Sequence, residues 1–299
     1  MGERKRTVGV IVILLFMISL LFGTDSSEKK VNGINQGELL ITQYGNYDAI
    51  QQYMFYTIQN QKGELTVIDG GWDYSAEEVR KIIRSKGGKV DYWILTHPHP
   101  DHIGAFNEIY REPQGIEIGQ VYTVKLDYDK YRQAVQQYDR FDIYEKFIMQ
   151  TDGDSRIHYF KSGDKMEWMG LKLEVFSAYS EETLALGGNI PNEGSLLFRI
   201  WGKKESMLFC SDAGLAGELV LSKYGKKLKS DYLQMGHHGN GGCSRTFYKI
   251  VHPKAAFFDA PQWLVKGSQY KTLEEIAFME KLSAKIYTME GAPHQIVLM

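Results

Sequence analysis

Cysteine is nearly missing from this chain: Cys210 and Cys243 are the two present among 299 residues. That excludes a disulfide-scaffolded fold, and without a Cys-x-x-Cys pair it also excludes a zinc ribbon or a thioredoxin-type site. The pair is read as two separate buried thiols rather than a disulfide or a soft metal ligand. An excess of charge of one sign is missing too. The formal net charge of -2 offers no general attraction to nucleic acid or to anionic membranes. A local basic run, Lys223 to Lys229, reads as a solvated helix end. Short-period repeats, low-complexity segments and a Pro/Gly-rich divider between Gln36 and Met299 are likewise absent, so 36–299 is read as one domain. With 43% hydrophobic residues, disorder is excluded for the bulk of it.

Long apolar runs are absent with one exception. Glu3-Arg4-Lys5-Arg6 precedes an apolar stretch from Val8 to Gly23, and polar residues follow from Thr24 to Lys30. This is the layout of an export signal, although the run is long for a signal core and short for a membrane span. No small-x-small cleavage site follows. Residues 1–30 are therefore expected to be either a signal peptide or an uncleaved amino-terminal anchor with a polar linker. On either reading the remainder works extracellularly or on the outer side of the cytoplasmic membrane.

The remainder alternates β-type and helical stretches. Leu39 to Tyr44, Tyr53 to Gln59 and Leu65 to Ile68 read as strands, Ser75 to Ser85 as a helix, and Val90 to Leu95 as a buried strand. Ile103 to Tyr110 reads as a helix, Val121 to Val124 as a strand, and Asp129 to Met149 as one long tyrosine-rich helix. In the second half, strands are expected at Leu171 to Ser177, Ser195 to Ile200, Ser206 to Cys210, Tyr232 to Met235, Ala255 to Asp259 and Ile296 to Met299. Helices are expected at Leu215 to Lys223 and Thr272 to Leu282. Early local strand pairing followed by strands separated by helices implies a layered α/β domain with mixed sheets.

Thr96-His97-Pro98-His99-Pro100-Asp101-His102 carries the chemistry. It leaves the carboxyl end of a strand, where open α/β sheets place their ligands. In extended chain, alternate side chains share a side, so His97 and His99 can converge on one ion. Pro98 and Pro100 stiffen that geometry. Asp101 and His102 fall in the first turn of the next helix, displaced toward a second ion. Imidazole and carboxylate together suit Zn²⁺, with Mn²⁺ or Fe as alternatives. Three histidines and an aspartate in six residues, out of eight histidines in all, argue against an incidental surface loop.

The segment resembles the His-x-His-x-Asp-His signature of the metallo-β-lactamase superfamily. That resemblance implies an αββα sandwich of two mixed sheets with two metal ions, expected to be Zn²⁺, at one edge. Asp69-Gly70-Gly71 matches the family's early structural aspartate, and Ser211-Asp212 the aspartate that bridges the metals. Gly236-His237-His238-Gly239 matches the late histidine ligand. The implied ligands are His97, His99, Asp101, His102, Asp212 and one of His237 and His238. The sequence leaves that choice open; the working assignment gives His238 to the metal and His237, with Asp101, to catalysis. His-His-Gly and Asn192-Glu193-Gly194-Ser195 are similar to the hydrolase domain of the DNA-uptake competence channel and to secreted phosphorylcholine esterases. Many relatives place another histidine between the first motif and the bridging aspartate. Here His158 alone occupies that interval, in a strand-like setting, and it is not assigned as a ligand. His294, ahead of the final strand, reads either as reaching the mouth of the site or as a plain surface residue.

The resemblance implies hydrolysis of a phosphodiester or phosphocholine-type ester through a metal-activated hydroxide, on a small-molecule or cell-envelope substrate. Nucleic acid is the less favoured substrate because Lys and Arg are not in excess. Two alternatives stand beside it: a metallo-hydrolase of a lactone, thioester or β-lactam, and a non-catalytic surface binding protein.

Overall fold

The computed structural model describes residue 31 and residues 33–299. The apolar segment read above as a signal or anchor lies outside the described residues. Among these residues no helix is long and apolar enough to cross a membrane.

Among the described residues, fourteen strands form two seven-stranded sheets. The first sheet contains β1 (Leu39–Gln43), β2 (Phe55–Asn60), β3 (Leu65–Asp69), β4 (Lys89–Ile94), β5 (Glu117–Thr123), β6 (Ile157–Tyr159) and β14 (His294–Leu298), in the order β14-β1-β2-β3-β4-β5-β6. The second contains β7 (Lys165–Trp168), β8 (Leu171–Ser177), β9 (Leu197–Trp201), β10 (Ser206–Phe209), β11 (Tyr232–Gln234), β12 (Ala255–Phe257) and β13 (Lys285–Tyr287), in the reverse order β13-β12-β11-β10-β9-β8-β7. Both sheets are mixed. Pairing is antiparallel from β14 through β3 and from β7 through β10, and parallel from β3 to β6 and from β10 to β13.

Alternation along the strands explains the layering. In β10 and its exit, Met207 and Phe209 join the core between the sheets, while Leu208 and Cys210 face the helices outside. In β12, Ala255 and Phe257 point inward, while Ala256 and Phe258 point outward. Both faces of these strands are covered, which is why they read as short continuous apolar runs. Ten α-helices among the described residues flank the sheets: α1 (Ala76–Ser85), α2 (Pro100–Arg111), α3 (Tyr128–Gln133), α4 (Phe141–Thr151), α5 (Glu181–Leu184), α6 (Ile190–Glu193), α7 (Ala216–Tyr224), α8 (Arg245–Val251), α9 (Gln262–Lys266) and α10 (Thr272–Lys281). The architecture is an αββα sandwich of two mixed sheets, as the sequence implied.

Three expectations need correction. The long helix at Asp129 to Met149 is two helices, α3 and α4, separated by residues 134–140. In that break Asp139 accepts a hydrogen bond from the Gln136 backbone N–H at 2.8 Å, a turn that competes with helix. Strands β7 and β13 were not anticipated. They are edge strands of four and three residues, with lysine and glutamate among their exposed positions, so they carry little apolar signal. Strand β5 also begins at Glu117, ahead of the expected Val121.

Gly104 sets the seat of α2. A Cβ there would lie 2.5 Å from the Asp73 nitrogen and 2.8 Å from the Trp72 carbonyl carbon, so helix and loop touch backbone to backbone. Gly104→Ala should therefore destabilise the protein by about 1–3 kcal/mol through overpacking, against the gain of less than ~1 kcal/mol expected from helix propensity. Urea unfolding checks this, and a variant at least as stable as the parent would show that the loop yields freely.

Candidate metal centre

Five parallel strands direct their carboxyl ends at one edge of the sandwich. Asp69 ends β3, Thr96–His102 leaves β4, Ser211-Asp212 leaves β10, His237-His238 follows β11, and Asp259 follows β12. Proline shapes the first motif as expected. Pro100 opens α2, and His99 before it is extended with φ -76° and ψ 153°. Asp101 and His102 thereby fall in the helix's first turn, where a carboxylate also meets the positive end of the dipole.

Four non-glycine residues at these strand ends adopt left-handed backbone: Asp69, Ser211, His237 and His238, with φ between 50° and 56°. Each such residue stores on the order of 1–3 kcal/mol, and the concentration of them at one edge marks a site that the surrounding fold must hold in shape. The His237-His238 turn is pinned where Gly236 and Gly242 cross. A Cβ on Gly242 would come within 2.4 Å of the Gly236 carbonyl.

Each histidine of the set is oriented by a partner on its other ring nitrogen. His102 Nδ1 pairs with Asp69 Oδ2 at 2.7 Å, and Asp69 also accepts from the Thr96 N–H at 2.8 Å and the Thr96 hydroxyl at 2.7 Å. His99 Nε2 meets Asp139 Oδ1 at 3.0 Å, leaving His99 Nδ1 beside His97 Nε2 at 3.1 Å. His238 Nδ1 lies 3.2 Å from the Asp259 carbonyl, while its Nε2 lies 3.2 Å from Asp101 Oδ2. Partners of this kind fix the tautomer and aim of a metal-binding imidazole.

The free donor atoms gather into two groups, His97, His99 and Asp212 in one and Asp101, His102 and His238 in the other, the atoms of each lying within 4.8 Å of one another. Asp212 sits between the groups, its carboxylate 3.8 Å from His97 Nε2, 3.4 Å from His102 Nε2 and 3.6 Å from His238 Nε2. All six side chains are buried. His102 Nε2, His238 Nε2 and Asp212 Oδ1 have no hydrogen-bond partner. Buried polar atoms are rarely left so, and imidazole with carboxylate is a donor set for a divalent transition metal, so the residues present fit two ions.

The electrostatics agree. Burial drives His97 well below the usual imidazole range, helped by the neighbouring His102. For His102 burial acts downward as well, but Asp212, Asp69 and Asp101 outweigh it and hold the ring well above its usual value. Burial would raise Asp212, yet the surrounding imidazoles keep it well below the carboxylate range. Asp139 is also lowered: burial opposes ionisation, but the bonds from His99, Gln136 and Asn189 prevail.

The centre opens on a cleft of about 220 Å³ lined by residues that include Gln52, Trp72, His99, Asp101, Tyr138, Asn192, Asp212 and His237. Among the described residues, none that lines it is Lys or Arg. His237, with its side chain 39% exposed, lines this cleft with Nε2 3.9 Å from Asp212 Oδ2, whereas His238 is buried among the donors. The two rings of the doublet therefore occupy different places, His238 among the donor atoms and His237 on the cleft. His158 is remote in role: its Nε2 bonds Gln120 Oε1 on β5 and its ring stacks on Tyr122. His294 Nε2 bonds the Thr288 and Glu290 carbonyls. Cys210 and Cys243 are free and buried, and neither lines the cleft.

Three positioning groups escaped the sequence. Asp139 was hidden inside the expected long helix, although an aspartate in a helix interior is itself a hint of a turn. Gln52 Nε2 donates to Asp101 Oδ2 at 3.2 Å, and Trp72 Nε1 holds the Gln52 carbonyl at 2.7 Å. Nothing local distinguishes them. Asp259 shows in the sequence only as the end of a strand. Its carboxylate accepts from Gln43, Tyr56 and Gln234, tying both sheets together beneath His238.

This fold and donor set define a metal-dependent hydrolase. A model of the metallo-β-lactamase superfamily matches residues 51–285, and the chain belongs to that superfamily. It is 24% identical over 245 residues to ComE operon protein 3 of Bacillus subtilis (strain 168), a match covering 76% of this chain and 28% of that protein. The chain thus spans about a quarter of that relative's length. Among solved structures, the metallo-β-lactamase fold protein YhfI from Bacillus subtilis aligns at TM-score 0.51 and 12% identity, over 87% of this chain and 99% of YhfI. A CmlA β-hydroxylase mutant aligns at TM-score 0.53 and 11% identity, over 89% of this chain and 54% of its own. These likenesses bear on the fold alone.

Two predictions follow from the positioning groups. Asp139→Ala should weaken metal binding by about 10–100-fold by freeing the His99 ring. Calorimetric titration reads this, and unchanged affinity would show that His99 needs no support. Burial pushes Asp259 up to about 6 despite its three donors. Its unfolded value is near ~3.9, so between these values the folded metal-free protein binds the extra proton. This group's contribution to stability therefore falls as pH rises across that window, by about 3 kcal/mol. Asp259→Asn should abolish that part of the slope. Urea unfolding of both metal-free proteins from pH 4 to pH 7 tests it, and parallel curves would refute it.

Proposed function

We propose that this chain is an extracytoplasmic metal-dependent phosphodiesterase, acting on phosphodiester or phosphocholine-type ester bonds of small molecules or the cell envelope. The observation that carries this reading is the placement of the Asp212 carboxylate within 4 Å of His97, His102 and His238. A carboxylate shared between two donor groups suits closely spaced ions of the kind that clamp both the attacking and the leaving oxygen of an in-line phosphoryl displacement. Bound there, two divalent ions would supply Lewis acidity and bring the pKa of water toward neutrality.

The chain's own residues do the rest. Asp101, braced by Gln52 Nε2, offers a carboxylate at the cleft floor to orient the attacking water. His237, part-exposed on the same cleft and outside both donor groups, is placed to exchange a proton with a substrate oxygen. Trp72 and Tyr138 present aromatic surface on the walls, with Tyr74 stacked beside Trp72 at 6.0 Å between ring centroids. Aromatic walls without Lys or Arg favour a neutral or quaternary-ammonium group over a polyanion, which disfavours long nucleic acid. The charged head and apolar run at the amino terminus support export or anchoring.

The full-length chain, purified in detergent and loaded in turn with Zn²⁺, Mn²⁺ and Fe²⁺, should turn over bis-p-nitrophenyl phosphate or p-nitrophenyl phosphorylcholine. Asp212→Ala should lose at least about 10²-fold in kcat with its circular dichroism unchanged. Turnover of a lactone or nitrocefin but of neither phosphodiester would replace this reading with an acyl hydrolase. A protein that binds no metal would remove both.

A further inference from the structure

The two donor groups are unequal. Asp101, His102 and His238, with Asp212 beside them, make a four-residue set, while His97 and His99 with the same Asp212 make three. No further histidine belongs to the smaller set: His158 is committed to Gln120 on β5, and His237, 3.9 Å from Asp212 on the cleft, lies outside both donor groups. The cleft nevertheless contains one more donor atom without a partner. Asn192 lines it together with His99 and Asp212, and Asn192 Oδ1 is buried with no hydrogen bond. In that respect it matches His102 Nε2, His238 Nε2 and Asp212 Oδ1, the orphaned atoms of the ligand set. Ser195 Oγ is also orphaned but does not line the cleft.

What holds Asn192 in place is specific to the smaller set. Its backbone N–H donates to Asn189 Oδ1 at 3.0 Å, and Asn189 Nδ2 donates to Asp139 Oδ1 at 3.0 Å, the same oxygen that meets His99 Nε2. On the other side, Glu193 Oε2 accepts from the Ala216 N–H at 2.7 Å, tying α6 to the segment that directly follows Asp212. Asn192 is thus suspended between the support of His99 and the segment following Asp212, two ligands of one ion.

We propose that the Asn192 carboxamide oxygen is the remaining protein ligand of the ion held by His97, His99 and Asp212. An amide oxygen is a neutral donor, compatible with the oxygen-rich preference of Mn²⁺ and acceptable to Zn²⁺ or Fe²⁺. It contributes no charge, so the ion it completes is the more weakly held and more readily exchanged of the two. The inference rests on the two-metal reading above and not on which bond is cleaved.

The test is metal binding by the full-length chain in detergent. The parent protein should take up two Mn²⁺ or Zn²⁺ ions, read by elemental analysis and calorimetric titration. Asn192→Ala should keep the tighter ion unchanged and raise the dissociation constant of the weaker one by at least about 10-fold. Asn192→Asp, which keeps the oxygen and adds charge, should bind the weaker ion at least as tightly as the parent. Metal-free Asn192→Ala should melt no lower than the metal-free parent, because the oxygen it removes has no partner to lose. Equal affinity for both ions in the parent and in Asn192→Ala would overturn the assignment while leaving the phosphodiesterase reading intact. A parent that binds no metal would overturn both.

Discussion

The Asp69 carboxylate is the interaction on which the site depends. It takes three hydrogen bonds, two from Thr96 and one from His102 Nδ1, and so joins the end of β3 to the exit of β4 and the first turn of α2. A buried carboxylate is costly without such partners, and with them it becomes a rigid pivot. Everything the first motif offers to an ion is displayed from that pivot. The left-handed backbone of Asp69 and the tight seat of Gly104 are the conformational costs of placing it there.

A second support lies under the other sheet. Asp259 gathers donors from β1, β2 and β11 while its own carbonyl steers His238. The two aspartates therefore play matching parts, one per sheet, and the donor groups meet across the seam between them. The pseudo-symmetric strand order supplies the reason. In both sheets the parallel half begins at the fourth strand counted from one edge, so the parallel carboxyl ends face each other at one rim.

Much of this was legible in the sequence because the relevant signals are local. Pro98 and Pro100 encode extended chain followed by helix, and the histidine spacing encodes convergence. Buried strands such as β10 and β12 announce themselves as short apolar runs. What was not legible depends on contacts far apart in sequence. The break between α3 and α4 serves Asp139, whose partners are His99, 40 residues earlier, and Asn189, 50 residues later. Apolar spacing through Tyr131, Tyr138 and Phe141 is consistent with helix, so periodicity alone favours the wrong answer. Gln52 and Asp259 likewise acquire their roles only from long-range packing. Edge strands β7 and β13 carry too few buried side chains to register.

Strand β14 has a bearing on how the molecule is made. Leu39 pairs with Leu298 and Gln43 with His294, so the outer edge of β1 waits for a partner some 250 residues away. During synthesis the first sheet can assemble from β1 to β6 with one flank unguarded, its unpaired amide and carbonyl groups open to a neighbouring chain. Pairings of such long sequence separation close slowly. Residues 294–298 thus close the exposed edge of β1, the last pairing of the first sheet in chain order.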